Sequence, residues 1–135
     1  MNSVSGTWET VFDDSISGVP AGKETITLRP DGTFTQRFNK YPTLSGTWSL
    51  HPGSVLRLSG AKDYTAGVEA ANRIAEGGSV RHVLGCLGQP LVLKGADLLL
   101  CAGTSHEPPL RFVIFHLPVG DPDAPKYIEF QRSTP

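Results

Sequence analysis

The chain has 135 residues, 39% of them hydrophobic and 19% charged, enough for one core that buries roughly 65–70% of the unfolded surface. That composition excludes both a disordered chain and a membrane-spanning helix. Twelve basic against 13 acidic residues give a net charge of −1, and with no basic stripe beside the aromatics this excludes general binding to nucleic acids or anionic membranes.

The opening residues MNSVSGTWETVF run almost directly into strand-like sequence. They show no basic n-region, apolar h-region or small-residue cleavage site, so cytoplasmic residence is expected. Short apolar or alternating runs bounded by Gly, Pro, Asp or Asn then recur. They predict strands over Val4–Phe12, Lys23–Arg29, Thr33–Asn39, Leu44–His51, Ser54–Ser59, Ser79–Cys86, Gln89–Lys94, Asp97–Ala102, Leu110–Leu117 and Lys126–Arg132. In the first strand Trp8, Thr10 and Phe12 share a face. In the second Ile26 and Leu28 do, in the third Phe34, Gln36 and Phe38, and in the fourth Gly46, Trp48 and Leu50.

Pro30-Asp31-Gly32 presets one φ and supplies glycine where φ must be positive, so the second and third strands form a tight hairpin. His51-Pro52-Gly53, Gly85-Cys86-Leu87-Gly88 and Lys94-Gly95-Ala96-Asp97 punctuate later connections in the same way. Sequential antiparallel pairing follows: an all-β meander closing into one barrel domain of eight to ten strands over residues 1–135. The leucine runs 91–93 and 98–100 lack clean alternation, which calls for cover on both faces.

Residues 63–76 break the pattern. Tyr64, Val68, Ala71 and Ile74 or Ala75 recur at helical spacing, Asp63 can cap the start and Gly77-Gly78 the end, which predicts one short amphipathic helix, with a mobile loop as the alternative. Ser5-Gly6-Thr7-Trp8 recurs as Ser45-Gly46-Thr47-Trp48 within unlike flanks. This reads as one packing device used twice, glycine for close approach and tryptophan as anchor. Cys86 and Cys101 each sit in an apolar run, where the expectation is two small buried hydrophobes, with a disulfide or a reactive thiol as the alternatives.

The Gly6-Thr7-Trp8 opening, Thr27-Leu28-Arg29-Pro30-Asp31-Gly32-Thr33-Phe34 and Gly46-Thr47-Trp48-Ser49-Leu50 resemble small bacterial lipocalin-like proteins of the calycin group. The resemblance implies a barrel whose first-strand tryptophan, Trp8, is crossed by a basic residue of a late strand. Arg132 is the matching residue, with Arg111 second.

No histidine spacing matches a metal site and no cofactor motif is present, so neither is expected. His82 shares a face with Val80 and Leu84, and His116 shares one with Phe112 and Ile114. Either can point inward and act as a general base if a carboxylate lies close, for which Glu129 and Asp121 are the candidates. The strand arginines Arg29, Arg37, Arg57, Arg81 and Arg111 are expected mostly to face outward as edge protection, and one or two that pointed inward would hold a carboxylate or phosphate head group. The candidate ligand set is therefore His82, His116, Arg111, Phe112, Tyr64 and Trp48. Three uses follow: a non-enzymatic barrel holding a small apolar or amphipathic ligand, an immunity-type protein whose acidic loops Asp13-Asp14 and 120–123 meet a toxin, or a small enzyme built on an inward histidine.

Overall fold

A computed structural model describes residues 4–13, 21–39, 41–62, 64, 80–84, 86, 90–94, 98–116 and 128–133, with the backbone alone for 80–84 and 90–94. It contains β1 (Gly6–Phe12), β2 (Gly22–Leu28), β3 (Thr33–Phe38), β4 (Leu44–His51), β5 (Val55–Ser59), β6 (Val80–Leu84), β7 (Pro90–Lys94), β8 (Leu98–Thr104), β9 (Phe112–His116) and β10 (Glu129–Arg132). Eight strands close a barrel in the order β1-β10-β9-β8-β5-β4-β3-β2, every pairing antiparallel.

The meander is interrupted once. β5 pairs with β8, while among the described residues β6 and β7 form a two-stranded sheet of their own. Ten strands thus resolve into an eight-strand barrel and a separate hairpin. The expected helix over 63–76 lies, apart from Tyr64, outside the described residues.

Register explains the core. Cross-strand partners share a face, and the pairs Trp8 with Ile26, Ile26 with Gln36, Phe34 with Gly46, Trp48 with Leu58, Leu56 with Leu100 and Ala102 with Ile114 carry one face around the barrel. Even-numbered residues line the interior. Trp8, Ile26, Phe34, Leu56, Leu58, Leu98, Leu100, Ile114 and Phe130 there have no accessible surface. No water-sized space touches them, so this layer is filled by side chains, as in the smallest barrels.

The β2–β3 turn forms as its residues dictate. Gly32 takes φ +90°, and Asp31 Oδ1 accepts hydrogen bonds from Thr33 N at 2.9 Å and Thr33 Oγ1 at 2.7 Å. Those bonds, the side-chain one first, hold the Asp31 carboxyl below its ordinary range. Trp48 anchors itself to the same turn: its Nε1 donates to Arg29 O at 2.8 Å and its backbone N to Gly32 O at 2.8 Å. The repeated glycines also make room. A Cβ on Gly46 would stand 2.0 Å from Ser59 O, and one on Gly6, at φ +133°, 2.6 Å from Arg132 Nη1.

The leucine run of β8 is covered on both faces. Leu98 and Leu100 point in, while Leu99 and Cys101 are buried on the outside, the latter packed with Val113 and Phe115. Part of that outer cover is covalent, because Cys86 and Cys101 form a disulfide with Cα atoms 5.5 Å apart. This replaces the expectation of two independent buried thiols: β8 brings Cys101 to the outer face within bonding reach of the chain that leaves β6.

Candidate functional site

The two ends of the barrel differ. Where β1 begins and β10 ends, Arg132 lies over the Trp8 ring, its guanidinium carbon 4.1 Å from the centroid, and its Nη1 donates to Ser5 O at 2.7 Å. Trp8 Nε1 donates to Val4 O at 2.8 Å, and Phe112 sits 6.1 Å from the Trp8 ring. Aromatic faces, a cation and satisfied donors occupy this end.

At the other end β1 stops at Phe12, β2 starts at Gly22, β3 stops at Phe38 and β9 stops at His116. Here the inner face turns polar. Glu24, Gln36 and His116 are at most 1% exposed, among Phe12, Phe38, Tyr64 and Phe130. Gln36 Nε2 donates to Glu24 Oε2 and to Lys62 O, and Lys62 N donates back to Gln36 Oε1 at 3.1 Å. The glutamine therefore fixes both the carboxylate and the main chain leading to Tyr64.

His116 Nε2 stands 3.5 Å from Glu24 Oε1, close enough to pair yet off hydrogen-bond alignment. Glu24 Oε1 and both ring nitrogens of His116 consequently have no hydrogen-bond partner among the described residues. His116 is instead held by rings, Phe130 at 5.1 Å and Phe12 at 6.2 Å, and by its backbone N donating to Ile128 O at 3.0 Å. Buried polar atoms left unpaired cost about 1–3 kcal/mol each, so such a group in a packed barrel calls for a reason beyond stability.

Tyr64 stacks on Phe38 at 4.2 Å and lies 6.2 Å from Tyr41, which is 43% exposed. Burial first, then the Glu24 charge and Tyr41, push its phenol up to about 12. Folding favours the neutral phenol, so this stabilisation is complete below pH 10 and is lost as pH rises from there through about 12. An alkaline absorbance titration should show one tyrosine ionising near the upper figure in the folded protein, and Tyr64→Phe should remove that step.

The expected site residues divide. His116 and Tyr64 meet at the polar end, Trp48 and Phe112 pack around the filled layer and the Trp8 end, and His82 lies on β6 opposite Val92. Arg111 does not enter the barrel. It is exposed, with Nε donating to Gln131 Oε1 at 2.8 Å, Nη1 donating to Pro109 O, and Nη2 4.0 Å from Glu129 Oε1. Its odd position places it on the outer face, so the proposed inward arginine fails there.

The expected histidine partner also changes. Glu129 faces outward and accepts from His106 N at 2.6 Å, with His106 Nδ1 at 3.1 Å, while Asp121 lies outside the described residues. Glu24 takes the place beside His116. Of the acidic loops, only Asp13 is described. Glu24 and Gln36 were not among the expected site residues, although the alternation that buries Ile26 and Leu28 places Glu24 on the same face.

No helix among the described residues is long and apolar enough to cross a membrane, and no three metal-ligating side chains converge there. A scan against protein-family models finds no match, and no curated protein matches the sequence.

Proposed function

We propose that the barrel is a binding protein for a small amphipathic ligand, whose polar group engages Glu24 and His116 at the end away from Trp8 and Arg132. One observation carries this reading: a buried acid and imidazole with open hydrogen-bonding capacity, inside a ring of aromatic side chains. Binding sites are characteristically apolar surfaces with a few convergent polar groups. The apolar part of the ligand meets Phe12, Phe38, Tyr41 and Tyr64, since the layer nearer Trp8 is already filled. A lipocalin-like ancestry would suit such use, as it would many others.

Native mass spectrometry of the protein purified from its own host tests the proposal. The expected result is a small-molecule adduct that the wild type retains and that Glu24→Gln with His116→Gln loses. A protein recovered ligand-free, or carrying a macromolecular partner in place of a small molecule, would count against it.

A further inference from the structure

The ligand class follows from the sign of the charge inside the barrel. This step rests on the binding reading above. Lys23, Arg29, Arg37, Arg57 and Arg111 all hold odd-numbered positions, the outward set of the register, and Arg132 is spent on Trp8 at the far end. Lys62 meets the polar cluster through main-chain atoms, N to Gln36 Oε1 and O from Gln36 Nε2. At the polar end the described inward-facing side chains therefore include a carboxylate, Glu24, with the His116 imidazole 3.5 Å from it, and no Lys or Arg.

A carboxylate or phosphate head group would be buried against a like charge, which low-dielectric surroundings punish. A cationic head meets the opposite situation. Glu24 Oε1 offers a lone acceptor, with Oε2 already fixed by Gln36. Phe38 is the cross-strand partner of Glu24, and Tyr64 (4.2 Å), Tyr41 (5.8 Å) and Phe12 (5.5 Å) gather around the Phe38 ring, so an aromatic cluster stands beside the acid. A carboxylate among aromatic rings is the arrangement that attracts an ammonium group by charge and by the ring quadrupole together.

We infer that the ligand is an amphipathic amine, its ammonium set on Glu24 among Phe12, Phe38, Tyr41 and Tyr64 and its hydrocarbon part on the same rings. The expected preference is the reverse of the carboxylate or phosphate that an inward strand arginine would have held.

Three probes with one eight-carbon tail decide it: octylamine, octanoate and octanol, titrated calorimetrically, with the Gln36 side-chain and Lys62 backbone amide signals followed by NMR to locate binding. Octylamine should bind best, shift both signals, and lose roughly tenfold in affinity in Glu24→Gln, which removes the charge at nearly constant shape. Should that variant fail to fold, the amine must still outbind octanol by a similar factor in the wild type. Octanoate or octanol binding as well as the amine, with the two signals shifting, overturns the amine assignment and leaves the binding reading standing. If none of the three moves those signals, both fall.

Discussion

Trp8→Ala should destabilise the protein by about 3–5 kcal/mol, the usual loss for truncating a fully buried tryptophan. The side chain has no accessible surface, carries Arg132 on one face at 4.1 Å, and faces Phe112 at 6.1 Å. Its Nε1 also ties down Val4 O at 2.8 Å. Against a total of roughly 5–15 kcal/mol for a domain of this kind, that loss leaves a substantial unfolded fraction. Urea unfolding should show a much lower midpoint with a similar slope. Arg132→Ala, which removes a partly exposed cation from the ring, should cost only about 1–2 kcal/mol. The double variant should cost less than the two losses together, because the cation has little left to act on once the ring is gone. Additive losses would show that the stacking contributes nothing.

Much of the barrel was legible in the sequence because alternation and turn chemistry are local. Trp8, Ile26, Phe34 and Ile114 announce the inner face by their spacing, and Asp31-Gly32 fixes the first hairpin through its own hydrogen bonds. What failed to show was non-local. A strand pair that leaves the sheet looks the same in sequence as one that continues it, so β6 and β7 read as part of the meander. Cys86 and Cys101 are 15 residues apart, a spacing that says nothing about whether their Cα atoms meet.

The site was half legible. His116 declares itself by sharing a face with Ile114, and it is buried as that face requires. Sequence alone offers Glu129 and Asp121 as its partners, because which strand lies across from His116 is a matter of barrel closure and not of local pattern. Glu24 holds an inward position between Gly22 and Ile26, and Gln36 opposite Ile26 is placed to receive it. Two polar residues at inward positions of adjacent strands, two registers from one another, are the signal that finds this cluster in advance.

Single truncations of the buried pair should cost about 3–5 kcal/mol, whereas replacing both members by apolar residues of similar volume should be neutral or stabilising. Glu24→Ala alone removes the carboxylate that stands 3.5 Å from His116 Nε2, and His116→Ala alone leaves the Glu24 carboxylate without the imidazole and opens a void beside Phe12 and Phe130. Glu24→Met with His116→Leu removes both sets of unpaired atoms at once, while Gln36 keeps its two hydrogen bonds to Lys62. Thermal unfolding of the four proteins as a double-mutant cycle measures the coupling. If the pair were there to hold the fold, the apolar double variant would be the least stable of the set. If it is there for the ligand, that variant melts at or above the wild-type temperature and no longer binds octylamine, which separates what the acid and imidazole do for the barrel from what they do for its occupant.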